Sequence, residues 1–304
     1  MRTSFLICGD PLRPTHPDPA FADEVSALRA AGADLALLDH DALVAGDAGD
    51  AVRRVPRDSG AYWYRGWMIP VRRYEELERA LEQRGCSLLT SAARYRRAHE
   101  LPGWYEVFEV LTPTTVWTAA AAGKPPYGTE LSELTAGLRP GAGVVKDYVK
   151  SRKHEWDEAC FVPDLSDLAH LSAVVERLFA LQEDSLVGGL VVREYEAFVR
   201  GGEARAWWVD SEVVLVTAHP DSPGDCPVPR LDAVRAAVAA LDCRFVTTDL
   251  ALREDGEWRV VEVGDGQVSG VPRGADIGRL VGALAVVDVS GGSEGDRACP
   301  PPAP

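Results

Sequence analysis

The chain has 304 residues, 46% of them hydrophobic and 26% charged, the make-up of a soluble globular protein with two or three subdomains. No apolar run approaches the roughly 18 residues needed to cross a bilayer, so a membrane role is not expected. The net charge of -15 excludes a large nucleic-acid footprint, because duplex binding relies on Lys and Arg neutralising phosphates.

The six cysteines (Cys8, Cys86, Cys160, Cys226, Cys243 and Cys299) are dispersed, with no CxxC pair. That argues against a zinc ribbon or a disulfide framework and fits a reducing cytoplasm, with each Cys a small buried hydrophobe. The six histidines have no metal-ligand spacing.

In chain order, the opening MRTSFLICGDPLRP reads as a first buried strand followed by a Pro-rich turn, and not as a signal peptide. Strands over 3–9 and 34–39 flank an amphipathic helix over 21–31 that Gly32 stops. A strand over 61–69, a helix over 71–84 ending at Gly85 and a short strand over 87–90 complete a βαβ alternation, hence a small parallel α/β layer over residues 1–90. No GxGxxG follows the first strand, which disfavours a Rossmann dinucleotide site. Residues 93–110 read as helical on both sides of Pro102-Gly103, and a polar apron around 113–117 follows.

A helix over 129–137 leads into a strand over 144–149, and 167–182 is a strongly amphipathic helix. The pattern then turns to strands over 189–195, 203–209 and 213–218, a loop over 221–229 and a helix over 231–241. Residues 245–272 read as a hairpin turning at Asp255-Gly256. A last helix over 276–285 is expected to pack back on this sheet, and 288–304 has the composition of a disordered tail.

Three stretches carry residues with chemical potential, each with a plain structural reading beside it. In VVKDYVKSRK a continuous strand would point Lys146 and Lys150 the same way, about 13 Å apart. They would lie along a triphosphate, or else form a solvated edge that discourages aggregation. REYEAF (193–198) ends a buried strand, where backbone groups can hydrogen-bond a flat heterocycle while Tyr195 or Phe198 packs on it. Glu203 and Arg205 share a face, as a surface ion pair or part of a site. Asp249 and Glu262 lie on the two arms of the hairpin, converging on a cation such as Mg²⁺ or solvated separately. Arg65 sits near the carboxyl end of a strand, where α/β sheets place ligands, or it stacks on Trp63 or Trp67.

In order, YRGW at 64–67, VVKDYVK at 144–150, REY at 193–195, Glu203 with Arg205, Asp249 and EVGDGQ at 262–267 make the chain resemble the ATP-grasp superfamily. Within it, the resemblance is to the clade named for one Arg and two Lys. It covers the chain to about residue 285 and implies an ATP-grasp fold of α/β and α+β parts. Its divisions would be an N-terminal parallel α/β (pre-ATP-grasp) domain over 1–90, subdomain A over 91–187 and subdomain B over 188–287.

The resemblance further implies an ADP-forming ligase that uses Mg-ATP to activate a carboxylate as an acyl phosphate for an amine or thiol. Small-molecule acid and amine substrates, an amino acid or peptide among them, would be its partners, with homo-oligomerisation left open. Carried over by position, Lys146, Lys150 and Lys153 face the phosphates. Arg193, Glu194, Tyr195, Glu196 and Phe198 with Glu203 surround the nucleotide. Arg65, Arg205 and Lys150 are the catalytic cations, and Asp249, Glu262 and Asp265 hold the metal. Two departures stand out: Gly264 replaces the usual Asn of Glu-x-Asn, leaving Asp265 or Gln267 as a third ligand, and SRKHEW replaces the glycine-rich lid. Arg94, Arg97 or Lys124 would stand in for an upstream nucleotide-binding Lys. The implied alternative is a non-catalytic ATP-binding assembly factor or adaptor, as among the cell-division-cycle-123-like proteins.

Overall fold

Residues 3–220, 224 and 228–287 are described by the computed structural model, and they fall into two units. The first comprises residues 3–67, 75–91 and 277–287, the second residues 68–74 and 92–276.

Parallel strands build the first unit. Strands β1 (Ser4–Asp10), β3 (Asp34–Leu38), β4 (Gly60–Arg65) and β5 (Cys86–Leu88) are parallel, as the βαβ alternation predicts, with β3 and β4 on either side of β1. The apolar run of β1 is buried throughout at Phe5, Leu6, Ile7 and Cys8, as expected of a central strand covered on both faces. Helices α1 (Ala22–Ala30) and α4 (Val71–Glu82) stand where the periodicity puts them, and Gly32 and Gly85 leave them at positive φ. The Pro-rich turn additionally forms β2 (Arg13–Pro17), antiparallel to β1, because the Asp10 carboxylate accepts from the amides of Leu12 and Arg13 and reverses the chain. Short helices α2 (His40–Ala45) and α3 (Ala48–Ala51) also arise from local capping by Asp39 and Asp47, a signal the apolar periodicity does not carry.

The helix Ile277–Ala285 corrects one expectation. It belongs with the first unit, packed on α1, and not with the hairpin sheet that precedes it in sequence. Its end is fastened by Thr3 Oγ1 donating to the Ala285 carbonyl and by Trp63 Nε1 donating to that of Leu284. An apolar helix face specifies burial, not which sheet buries it.

The second unit holds two antiparallel four-stranded sheets. Helices α5 (Ala92–His99) and α6 (Leu101–Phe108) come first, separated at Glu100, just before Pro102 in the first turn of α6. One sheet combines β6 (Thr115–Ala119), β7 (Gly143–Lys146), β8 (Phe161–Val162) and β9 (Gly189–Glu194), in the order β6-β9-β7-β8. Helices α7 (Thr129–Thr135), α8 (Trp156–Ala159) and α9 (Leu168–Gln182) share its core through Leu131, Ala159, Leu171, Val175 and Leu178. The other sheet has the order β11-β10-β12-β13, from β10 (Phe198–Val209), β11 (Glu212–Ala218), β12 (Phe245–Arg253) and β13 (Trp258–Asp265). Its core joins α5, α6 and α10 (Asp232–Leu241) through Ala98, Trp104, Phe108, Val238, Trp208 and Val246. β6 was not expected in the polar stretch after 113. Its Thr, Val and Trp residues find a ladder partner in β9, and that partner lies about seventy residues away in sequence. Because β9 pairs with β6 and β7, the first sheet runs on to Glu194, past the division at 187.

The strand over 144–149 is shorter than expected. β7 stops at Lys146, because the buried Asp147 carboxylate accepts from the amides of Val149 and Lys150 and folds the chain into a tight turn. Lys146 and Lys150 therefore do not lie along one extended face. Four cysteines (Cys8, Cys86, Cys160 and Cys243) are free and buried, while Cys226 and Cys299 lie outside the described residues, as do the 288–304 tail and most of the 221–229 loop. Among the described residues no helix is long and apolar enough to cross a membrane.

At the end of β4, the Arg65 guanidinium is buried and donates to both Glu24 carboxylate oxygens, at 2.8 and 2.6 Å. Removing one member of a buried ion pair strands the other. Glu24→Ala is therefore expected to lower stability by about 3 kcal/mol in urea unfolding.

Candidate functional site

Both sheets of the second unit contribute to one cleft. Val144 and Lys146 of β7 and Arg193 and Glu194 of β9 form one wall. Phe198 and Glu203 of β10, Asp249 and Ala251 of β12, and Val261 and Glu262 of β13 form the other. Tyr195 and Glu196 join the walls, and Lys153 and Trp156 come from the segment after the Asp147 turn.

Two cations are buried in this lining, Lys146 and Arg193, each 6% exposed. Burial lowers the Lys146 ammonium from its ordinary pKa, with the Glu262 charge acting in the other direction, and Nζ donates to the Val149 carbonyl at 3.2 Å. That carbonyl is presented by the Asp147 turn. Asp147 also accepts from Gln182 Nε2 at 2.9 Å and from the Val187 amide at 3.3 Å, so one buried carboxylate ties the loop after β7 to α9. Arg193 is held by Nε donating to Thr115 Oγ1 at 3.0 Å and Nη1 donating to the Val261 carbonyl at 2.7 Å. Its Nη2 is buried with no hydrogen-bond partner. Burial lowers the guanidinium to about 10, opposed by Glu262.

The acids face these cations because of sheet register. Arg205 of β10 is directly opposite Asp249 of β12, and Asp249 is directly opposite Glu262 of β13. Arg205 donates to both Asp249 oxygens at 2.6 and 2.7 Å. His219 Nε2 lies 3.2 Å from Asp249 Oδ2, and its Nδ1 lies 3.5 Å from Glu203. Burial works against the charged form of Asp249, but the hydrogen bonds from Arg205 and His219 outweigh it and hold the carboxyl at about 2. The register slips between the pairs Asp249–Glu262 and Leu250–Val260, which makes Val261 the extra residue of a β-bulge. Both Val261 and Glu262 thereby reach the cleft, and the Val261 carbonyl is the one that Arg193 binds.

The segment after β9 is more committed than the sequence suggests. The amides of Glu194 and Tyr195 already donate to the carbonyls of Thr114 and Ala142, both at 2.9 Å. The Glu194 carboxylate accepts from the Arg139 side chain and amide, and Glu196 accepts from Arg259 at 3.0 Å. Tyr195 meets Trp156 and Phe161 edge-on, and those two rings stack at 5.3 Å. Trp156 lies within the segment that stands in place of a glycine lid, so an aromatic wall occupies that edge.

Lys146, Lys153, Arg193, Glu194, Tyr195, Glu196, Phe198, Glu203, Asp249 and Glu262 thus line one cleft. Four expected residues lie elsewhere. Lys150 is exposed beyond the Asp147 turn, and Arg65 belongs to the first unit with Glu24. Arg205 and Asp265 line a smaller adjacent cavity that shares Asp249 and Glu262 with the cleft. Asp265 stands on the core side of β13 with Val263, where its Oδ1 accepts from the Gln267 amide and Nε2 and caps a turn. Of the upstream substitutes, Arg94 and Arg97 pair with Asp242, and Lys124 is not in the lining. Asp147, Trp156 and His219 were missed. Their signals were an Asp two residues before an apolar turn residue, a Trp inside a basic segment, and a His just after a strand, all too common to single out.

The lining suits a nucleotide: apolar and aromatic residues at one end, and buried cations with an unpartnered guanidinium N–H at the other. Among the described residues no group of three or more His, Cys, Asp or Glu side chains gathers as a metal site. The paired carboxylates Asp249 and Glu262 suit Mg²⁺, which takes one or two protein carboxylates and completes its shell with phosphate oxygens and water.

His99 of α5 lines the smaller cavity, stacked on Tyr95 at 5.0 Å. Burial, with the charges of Lys150 and Lys146 adding, pushes its imidazole down to about 4. The unfolded chain takes up this proton near pH 6.5, the folded chain only near 4, so stability falls as pH drops through that window. Between pH 7 and 5 this contribution is about 2 kcal/mol, and His99→Gln should remove it from the pH dependence of the urea midpoint.

A family model described as ATP-grasp domain, R2K clade family 3, matches residues 134–284. No curated protein sequence matches the chain. Among solved structures, the chain is similar to the D-cycloserine synthetase DcsG, at 18% identity and TM-score 0.61 over 92% of this chain and 98% of that one. It is also similar to the ATP-grasp ligase PsnB complexed with minimal precursor, Mg and ADP, at 15% identity and TM-score 0.56 over 92% and 96%. D-alanine–D-alanine ligase from Bacillus anthracis, complexed with ATP, is similar at 13% identity and TM-score 0.52 over 94% and 95%. At these identities the likeness is one of fold. With two antiparallel sheets lining the cleft and the family match over 134–284, the chain carries an ATP-grasp domain of the R2K clade.

Proposed function

We propose that the chain is an ADP-forming ligase that binds Mg-ATP in the cleft and activates a carboxylate as an acyl phosphate for attack by an amine or thiol. The observation that carries this reading is the placement of two buried cations, Lys146 and Arg193, across the cleft from the register-paired carboxylates Asp249 and Glu262. Phosphoryl transfer to a carboxylate needs little covalent chemistry from the protein. It needs positioned cations where charge develops and carboxylates to hold a metal. Asp249 and Glu262 would hold Mg²⁺, which would supply positive charge against the phosphates.

In this reading Lys146 and Arg193 Nη2 hold phosphate oxygens, and Lys153 reaches them from the rim. The base packs between the Val144–Cys160 side and Ala251–Val261, bounded by Tyr195, Phe198 and Trp156. With the Glu194 and Tyr195 amides and the Ala197 carbonyl occupied, its hydrogen bonds fall to the Glu196 backbone, the Ala197 amide and the Glu194 carbonyl. Arg205, at the boundary of the two cavities, faces the transferred group. A substrate carboxylate oxygen attacks the γ-phosphorus and ADP leaves. The amine then attacks the acyl carbon, phosphate leaves, and the amine gives up a proton.

A second reading, a nucleotide-binding adaptor without turnover, draws on Gly264 and on the engagement of both Asp249 oxygens by Arg205 and His219. ADP and phosphate release against pooled acids and amines separates the two. Release that requires one acid–amine pair supports the ligase, and Mg-ATP binding without turnover in every mixture supports the adaptor. In calorimetry, Lys146→Ala is expected to weaken ATP at least a hundredfold, about 2.7 kcal/mol, and an unchanged affinity would sink both readings.

A further inference from the structure

Residues 115–194 run as one continuous stretch through the sheet β6-β9-β7-β8 and its helices. The chain therefore crosses between the two walls of the cleft twice, into β6 over residues 110–114 and out of β9 over 195–197. Both crossings contribute to the lining, through Pro113 at the first and through Tyr195 and Glu196 at the second.

A single guanidinium holds both crossings. Arg259 of β13 donates from Nη1 to the Val110 carbonyl at 2.9 Å and from Nη2 to the Thr112 carbonyl at 2.6 Å. Its Nε donates to the Glu196 carboxylate at 3.0 Å. Arg259 is paired across the strands with Ala251 of the cleft wall, so both side chains leave the same face of the sheet. Arg259 itself lies outside the lining, and it reaches a ligand only through the segments it holds. A planar fork satisfied on three acceptors has one orientation, and it fixes those acceptors in turn.

At the second crossing the backbone changes hands at Glu196. The Tyr195 amide donates to the Ala142 carbonyl just before β7, while the Ala197 carbonyl accepts from the Glu254 amide in the β12–β13 turn. Between those two bonds Glu196 is held by its carboxylate, mainly by Arg259; Arg253 adds a longer bond of 3.5 Å and turns its Nε to Asp255. The Glu196 backbone and the Ala197 amide, which remain for the base, are thus set from Arg259. The cations at the other end of the cleft have separate anchors: Arg193 on Thr115 and Val261, Lys146 on the Val149 carbonyl.

We propose that Arg259 is a positioning residue for the nucleotide base, setting the Glu196–Ala197 backbone by pinning both crossings between the sheets. The proposal rests on the nucleotide-binding part of the function proposed above and holds for ligase and adaptor alike.

The test is calorimetry on the full chain with Mg-ATP and with Mg-ITP. These nucleotides share ribose and triphosphate and present opposite base edges, an acceptor N1 beside an amino group in one and a donor N1 beside a carbonyl in the other. The wild-type chain should prefer ATP. Arg259→Gln should weaken ATP about tenfold and ITP about threefold or less, so that the ratio of the two affinities falls. A chain that is merely destabilised loses both nucleotides alike and keeps the ratio, which therefore reads positioning and not stability. Arg259→Lys, which keeps the charge but not the fork, should also lower the ratio, and it serves alone if Arg259→Gln does not fold. A ratio unmoved in the variants overturns the proposal, as does a wild-type chain that binds ATP and ITP equally. Failure of the wild-type chain to bind Mg-ATP overturns the nucleotide reading instead.

Discussion

The register of β10, β12 and β13 is the constraint on which the site depends. Arg205, Asp249 and Glu262 stand opposite one another on three adjacent strands, on the same side as Glu203 and Ala251. A slip of one residue would send all of them into the core, because side chains alternate across a sheet. The other face prevents that slip. Trp208, Val246, Leu250, Val260 and Val263 belong to one buried cluster with α5, α6 and α10, and Trp208 Nε1 donates to Thr248 Oγ1 across the strands at 3.0 Å. The hydrophobic face thus fixes where the charges on the opposite face fall. The one irregularity, the Val261 bulge, supplies the carbonyl that anchors Arg193.

That anchoring accounts for a cost the fold carries. Burying a guanidinium or an ammonium is unfavourable unless donors are satisfied, and here the satisfaction is partial. Arg193 spends two donors on Thr115 and Val261, leaves Nη2 without a partner, and sits 6.0 Å over the Trp104 ring. Lys146 has a backbone carbonyl and the Glu262 charge. By contrast, Arg139 meets Glu194 with its side chain largely in solvent, an arrangement that costs little and holds little. Within the cleft, a buried guanidinium with an unpartnered donor marks a residue suited to a ligand.

Most of the second sheet and its acids could be read from the sequence, because period-2 alternation and the Asp255-Gly256 turn are local signals. Lys146 is in the cleft, but the strand presumed to carry it to Lys150 is broken by Asp147, whose side chain competes with the ladder for the next two amides. What could not be read was the long-range pairing. Nothing in residues 115–119 announces β9 as a partner, and nothing in 277–285 announces α1. His219 was invisible for the same reason, since its meaning comes from Asp249, thirty residues on.

Asp249 shows why nucleotide and metal would bind interdependently in such a site. Both its oxygens accept from Arg205 and one also faces His219, so its lone pairs are largely taken in the ligand-free chain. A divalent ion arriving alone must displace charge-assisted hydrogen bonds that are already short. A polyphosphate would offer Arg205 a competing bidentate acceptor of higher charge, and each bond moved from carboxylate to phosphate would free a lone pair for the metal. The two affinities are then coupled by the same free energy in both directions. Glu262 receives no comparable donor from Arg205 or His219 and faces Lys146 and Arg193, so it is the carboxylate that stays available while Asp249 is released. The asymmetry between these two acids, set by one register, would make a metal's affinity here depend on the anion beside it.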